Sequence, residues 1–249
     1  MSGHSKWSTI KHKKGAADAK RGKLFGKLIK EITMAARTGG GDPGGNPRLR
    51  TALLAARAAN MPADNITRAI KKGTGDLPGE TYEDFLYEVR GPVGIAVIIE
   101  GTTDNKNRTV AEIRHLLDRN GGTLEKTGGV MYLFEKKGSI TLENPTQTAD
   151  ELMEIALEAG AEDIEIDGES CDIITDPATF EAVREAVIAK GLTPSAAEVS
   201  LQPKITVPVN SESDARKVLR LMEALEDHDD VSKVSANFDI PDEILEAAG

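Results

Sequence analysis

The chain is short of the residues that build covalent scaffolds and catalytic centres. One cysteine, Cys171, in 249 residues excludes an internal disulfide and points to a reducing compartment. It falls in a β pattern with no Lys, Arg or His beside it to stabilise a thiolate, so it reads as core. The four histidines, His4, His12, His115 and His228, are too scattered for metal-ligand spacing, and His115 reads as a structural neighbour of an apolar stripe. No HExxH, CxxC or P-loop pattern occurs, so no metal and no cofactor is expected. Carboxylates abound, but the sequence sets no pair of them apart for acid–base work. No apolar run approaches the roughly 20 residues that cross a bilayer, and the basic N-terminus leads into no apolar stretch, unlike a secretory signal. A cytoplasmic, non-enzymatic protein is the expectation.

What the chain does have is a sharp division of charge. Residues 1–72 hold 16 Lys/Arg against 4 Asp/Glu, whereas residues 73–138 hold 8 against 11 and residues 139–249 hold 7 against 26. A basic head on an acidic body attracts polyanions within about a Debye length, roughly 8–10 Å. Nucleic acid is the polyanion that best fits so many extra cations, because each neutralised phosphate releases a counterion. A membrane surface is the competitor, and the amphipathic segment from Lys20 to Lys30 is its only candidate.

Glycine- and proline-rich stretches at 38–45 and 73–79 read as loops, and the second coincides with the change of charge. The expected fold is α+β and multi-domain, a three-helix bundle followed by two ferredoxin-like α/β domains. The proposed division is residues 1–78, then 79–138 with 204–249, with 139–203 inserted as a βαββαβ unit. In the head, Leu24, Phe25, Leu28, Ile32 and Ala35 share one side of a helix from about Ala16 to Arg37, and Lys20, Lys23, Lys27, Lys30 and Arg37 share the other. Gly22 and Gly26 interrupt that helix, which a close backbone approach to a partner would explain. Asn46-Pro47 reads as an N-cap and helix start, with Arg48, Arg50 and Arg57 on the second helix. A third, from about Pro62 to Lys72, carries Arg68, Lys71 and Lys72. In the body, strands are expected at Phe85–Arg90, Ile95–Glu100, Val130–Glu135 and Lys204–Val209. The second half of the middle domain is expected as strand Lys204–Val209, helix Ser211–Glu226 and strand Val231–Phe238.

The two basic helices resemble a helix-turn-helix, although any bundle with a solvated basic face gives the same pattern. The first 14 residues place His4, Lys6, Trp7, Lys11, His12, Lys13 and Lys14 together. An aromatic ring among cations suits stacking on an unpaired base, while burial of Trp7 against the bundle is the alternative. Asp104, Asn105, Lys106, Asn107 and Arg108 crowd polar and cationic groups at a helix start, either as an elaborate N-cap or as a second nucleic-acid contact. The doublets Gly121-Gly122 and Gly128-Gly129 either cradle an anion or merely turn the chain. Striped lysines suit backbone tracking more than base reading, and the third helix has only Asn65 for adenine readout. RNA is therefore favoured over DNA.

Residues 3–14, together with Lys23-Leu-Phe-Gly-Lys-Leu-Ile-Lys-Glu-Ile32, closely resemble the start of the YebC family. Asn46-Pro-Arg-Leu-Arg50, Ala59-Asn-Met-Pro62, Asn65-Ile-Thr-Arg-Ala-Ile-Lys-Lys-Gly73, Gly91-Pro92 and Thr103-Asp-Asn-Lys-Asn-Arg-Thr-Val110 extend the likeness over essentially the whole chain. The chain departs from the family pattern at Arg90, at Val93-Gly94 and at residues 125–127. The resemblance implies an α-helical first domain followed by two α/β domains. It also implies a role in gene expression, either DNA-binding transcription regulation or ribosome-associated help with translation of difficult, notably proline-rich, stretches. The family includes the mitochondrial translational activator of cytochrome oxidase subunit one. The expected partners are nucleic acid, with ribosomal RNA favoured and DNA acting through residues 48–72 as the alternative, and the ribosome, with the protein a monomer and no membrane involved. A small-molecule enzyme using an inter-domain cleft is the remote alternative.

Overall fold

The computed structural model describes residues 17–167 and 170–248. Helices α1 (Ala17–Gly39), α2 (Pro47–Ala58) and α3 (Ala63–Thr74) form the head. Asn46 caps α2 as the sequence predicts, accepting from the Leu49 N–H. Its amide also donates to the carbonyls of Ala35 and Gly40, at 2.7 and 2.8 Å, so one side chain both starts α2 and holds the glycine-rich turn. Ile32, Ala35, Leu49, Leu53, Ala56 and Ala69 form the core of the bundle. Leu24, expected on the apolar side, is 46% exposed; packing begins with Phe25, half-buried against the core.

The close backbone approach in this bundle is at Gly73, not at Gly22 or Gly26. A β-carbon on Gly73 would lie 2.4 Å from the Thr33 carbonyl oxygen, whereas one on Gly22 or Gly26 would meet nothing within 4 Å. Replacing Gly22 and Gly26 by Ala is therefore expected to stabilise α1 by about 1 kcal/mol each, read as a rise in the head's melting temperature. An unchanged or lowered value would contradict that reading of the two sites.

The first body sheet joins β1 (Glu83–Arg90), β2 (Ala96–Thr103), β3 (Thr123–Leu124) and β9 (Val231–Ala236) in the order β3-β1-β2-β9. Helices α4 (Lys106–Asn120) and α7 (Glu212–Glu226) supply Ile113, Leu117, Val218 and Met222 to the core shared with this sheet. The second sheet joins β4 (Phe134–Glu143), β5 (Asp163–Asp167), β6 (Ser170–Thr175) and β7 (Ala196–Pro203) in the order β5-β6-β4-β7. Its helices are α5 (Ala149–Ala159), begun by a Thr148/Glu151 capping box, and α6 (Phe180–Ala189). That order and the antiparallel pairing are those of a ferredoxin-like unit. Cys171 is fully buried in this sheet, and burial, then the neighbouring Asp172, pushes its thiol up to about 11.

Strand β9, which covers most of the strand expected at Val231–Phe238, pairs antiparallel with β2 rather than within 139–203. Two expected strands differ. Residues 204–209 do not enter the first sheet; β8 (Val207–Pro208) pairs in parallel with β10 (Phe238–Asp239) alone. The place beside β2 is taken by β1, to which the short Gly91–Ile95 connection joins it at a small loop-closure cost. The expected strand at 130–135 is instead a 3₁₀ turn at Met131–Leu133, followed by β4. Strand β4 runs unbroken through Lys136-Lys137-Gly138, so the expected boundary at 138 falls inside a strand. Its first residue, Phe134, packs with Ala96, Ile98 and Val130, which ties the second sheet to the first. A short helix α8 (Asp242–Ala248) ends the described chain.

Candidate nucleic-acid interface

The basic residues of the head divide into two groups. In the first, the lysine side of α1 faces protein. Lys23 Nζ donates to the Asp227 carbonyl at 3.2 Å and Lys27 Nζ to the Glu226 carbonyl at 2.5 Å. Lys30 Nζ donates to the Asp229 carbonyl at 3.1 Å and to the Asp230 carboxylate at 2.5 Å. These carbonyls end α7 or follow it directly, where helical C=O groups lack internal partners and the helix dipole is negative. Helix α7 has no basic residue in its own last turn; α1 provides the cations from about 200 residues away. This differs from the expected solvated stripe. Arg48 makes a second clamp, bridging Glu31 of α1 and Asp84 of β1 at 2.7 Å each. Hydrogen bonds to Glu31, then Asp84, hold its guanidinium well above the ordinary arginine range.

Asp230 is the centre of the junction. Its side chain is 3% exposed and takes Lys30 on one oxygen, and Arg108 at 2.8 Å and Thr109 at 2.7 Å on the other. Thr103 joins through its hydroxyl at 3.2 Å, and the Asp230 carbonyl accepts from the Thr102 N–H. Burial acts to raise the Asp230 carboxyl, but the bonds from Lys30, Arg108 and Thr109 outweigh it and hold the group well below the usual carboxylate range.

The segment from Asp104 to Arg108 is thereby accounted for within the fold. Asn105 caps α4, accepting from the Arg108 N–H. Lys106 pairs with Glu83 at 2.7 Å, and Arg108 pairs with Asp104 at 2.8 Å as well as with Asp230. Asn107 is exposed. The two cations that would meet a second RNA contact already have protein partners.

Tertiary structure also brings Glu112, His228 and Asp230 within 4.8 Å of one another. Those residue types suit a metal, but both ring nitrogens of His228 are already engaged. His228 Nδ1 accepts from the Asp230 N–H at 3.1 Å, and Nε2 bonds Glu112 at 3.0 Å. Lys30 and Arg108 add positive charge at Asp230, which opposes a cation there.

The second group faces solvent. Arg37, Arg57, Lys71 and Lys72 stand in the last turns of α1, α2 and α3, and Arg68 lies one turn earlier on α3. All five are exposed, and none has an ion pair among the described residues. Cations at helix C-termini stabilise their helices by about 0.3–1 kcal/mol each, which explains the last-turn residues but not Arg68. Gly73 packs against the Arg37 backbone, so the ends of α1 and α3, with Arg37, Lys71 and Lys72, share one region. Arg50 is half-buried and donates to the Pro43 carbonyl at 3.2 Å. His4, Lys6, Trp7, Lys11, His12, Lys13 and Lys14 lie outside the described residues, as does the Lys20 side chain. His115 is exposed on α4.

The Gly128-Gly129 turn does cradle an anion, and it is the protein's own. Glu88 on β1, 4% exposed, accepts from the N–H groups of Gly128 at 2.5 Å and of Val130 and Met131 at 2.8 Å. Neither Glu88 nor Asp230 was distinguishable in the sequence, since nothing adjacent to them announces burial or partners.

Fold and site together define a three-part α+β protein in which a basic helical head is clamped to an acidic body by buried and half-buried ion pairs. The profile described as "TACO1/YebC protein N-terminal domain" matches residues 5–76, and that described as "TACO1/YebC second and third domain" matches residues 82–238. The chain belongs to the TACO1/YebC family. It is 58% identical over 246 residues to "Probable transcriptional regulatory protein DP2908" of Desulfotalea psychrophila, covering 99% of this chain and 98% of that protein. A "Probable transcriptional regulatory protein" of Syntrophus aciditrophicus is also 58% identical, over 247 residues, with 99% and 98% covered. The crystal structure of the conserved hypothetical protein Aq1575 from Aquifex aeolicus superposes with a TM-score of 0.83 at 48% identity, over 92% of this chain and 95% of that one. Among the described residues, no helix is long and apolar enough to cross a membrane.

Proposed function

We propose that the protein is a non-enzymatic, nucleic-acid-binding regulator of gene expression that acts on RNA at the ribosome. The observation that carries this reading is the exposed set Arg37, Arg57, Arg68, Lys71 and Lys72, unpaired among the described residues while Lys23, Lys27 and Lys30 of α1 and Arg48 of α2 clamp the body. The lysine-rich first 14 residues add charge to the same head. The clamp bears on the choice of ligand. An acidic body tied to the head cannot swing away, and it would repel a long duplex more than a folded RNA that it can overhang. Helix α3 offers only Asn65, at its N-terminal end, for bidentate adenine contact. Sequence-directed DNA binding through residues 48–72 is the second reading, favoured by the names of the relatives.

Sedimentation with ribosomes across a salt series, beside gel shifts on duplex DNA, separates the two. Replacing Arg68, Lys71 and Lys72 together by Ala is expected to weaken co-sedimentation by roughly 10- to 100-fold and to flatten the salt dependence by about 2 in log–log slope. Sequence-dependent duplex binding that persists at moderate salt would overturn the ribosomal reading in favour of DNA.

A further inference from the structure

The body, for all its acidity, contains a basic cleft. A hollow of about 430 Å³ opens between the turn at Pro92-Val93, the C-terminal end of α4 and the outer side of α7. Arg119, Lys217 and Arg220 line it, with Asp214 as its one carboxylate. A neighbouring hollow shares Lys217 and Arg220 and adds Arg216 together with its carboxylate partner Glu212.

Most cations of the body are matched. Arg90, Lys106, Arg108, Lys137, Arg184, Lys190, Arg216 and Lys233 each pair with a carboxylate. Arg119 and Arg220 are exposed and have no ion pair among the described residues, yet they line the same hollow. Asp214 is already bonded to Lys217 and Ser211. The Lys217 pair is a surface contact three residues apart, with the lysine 59% exposed, of the kind worth little and easily exchanged. Arg119 stands in the last turn of α4 and complements its dipole; Arg220, in the middle of α7, has no such role. Two guanidinium groups without counter-charge in one concavity suit an anion that accepts several hydrogen bonds, and phosphate has the matching geometry.

The lip of the hollow is apolar and strained. Val93 is 46% exposed, with φ 53° and ψ 18°, a left-handed conformation that β-branched residues rarely adopt. Such outliers gather at ligand clamps. Pro92 and Val93 thus present an apolar face in the same hollow as Arg119 and Arg220.

We propose that this cleft binds a phosphodiester of single-stranded RNA, forming a second grip on the strand held by the head. The proposal rests on the RNA-binding reading above and assigns the body a direct contact. The test uses the full chain and a fluorescein-labelled oligouridylate, with anisotropy measured across a salt series. The comparison is among the wild type, the double variant Arg119→Gln with Arg220→Gln, and the Arg68/Lys71/Lys72 alanine variant. Both arginines are exposed and only Arg119 complements a helix end, so the melting temperature should fall by no more than a few degrees. The double variant is expected to bind about tenfold more weakly, with a log–log salt slope shallower by about 1.4, the value for two lost contacts on a single strand. If it binds like the wild type while the head variant loses affinity, the cleft proposal is overturned and RNA binding by the head stands. If the wild type binds no oligouridylate, the cleft proposal falls, and the ribosomal reading falls only if co-sedimentation with ribosomes is absent as well. Calorimetric titration with inorganic pyrophosphate, and competition by it, distinguishes the source of phosphate. Pyrophosphate displacing the oligonucleotide equally well at equal phosphate would assign the cleft to free phosphates and overturn the RNA commitment.

Discussion

Replacing Asp230 by Ala is expected to destabilise the protein by about 3 kcal/mol and to loosen the head from the body. The carboxylate is 3% exposed and receives Lys30, Arg108 and Thr109. Removing one member of a buried charge cluster costs about 3–5 kcal/mol, because the partners stay desolvated and unpaired. Here Arg108 is 42% exposed and can turn to water, so the lower end of that range applies. Denaturant unfolding gives the loss, and proteolysis in the 75–82 linker reports the loosening, since the linker is cut faster once the head is released. The effect depends on pH. The folded-state pKa of Asp230 lies below its unfolded value, so its contribution is fully present above the unfolded pKa of about 3.9 and is lost as pH falls toward the folded value. The gap between wild type and variant should therefore be constant near neutrality and close on acidification below about pH 4. A gap that persists unchanged into acid would show that Asp230 acts by shape alone. Asp230→Asn, which keeps the shape and removes the charge, should reproduce most of the loss.

Replacing Glu88 by Gln should cost about 2–4 kcal/mol although it changes one atom. The carboxylate accepts from three backbone N–H groups at 2.5–2.8 Å. A glutamine amide presents its NH₂ to some of those donors, and a buried N–H left unsatisfied costs about 1–3 kcal/mol. Burial raises the Glu88 carboxyl, but the bonds from Val130, Gly128 and Met131 prevail and hold it low. Its contribution is thus also present above the unfolded carboxylate pKa and fades in acid. Hydrogen exchange at residues 128–131 is the specific readout, since those amides should lose protection before the rest of the first sheet. Equal protection in wild type and variant would mean that the turn holds itself without the carboxylate.

The two variants probe features with different visibility in the sequence. Helices α1 to α3 were legible almost to the residue, because apolar spacing, the Asn46-Pro47 start and the flanking glycines are local signals. The βαββαβ order of the second sheet was legible for the same reason. The strand expected at 204–209 was misplaced because a strand's neighbours depend on which edge is free, and the β1–β2 hairpin occupies it. Within the candidate site, the sequence singled out cations without showing which of them the fold would pair. Arg108 was singled out as a contact, yet its partner Asp230 lies 122 residues away.

By itself the sequence determined the helices and most strands in their order, the basic head, the acidic body and a core position for Cys171. Each follows from composition or from spacing within a few turns of chain. Only the tertiary structure decided which charges remain available. It set Lys23, Lys27 and Lys30 against the end of α7, Arg48 on Asp84 and Glu88 in the glycine turn, and it left Arg68, Lys71 and Lys72 exposed on α3. The physical reason is that a charge's partner is chosen by three-dimensional proximity and desolvation, over separations on which the local pattern of residues is silent.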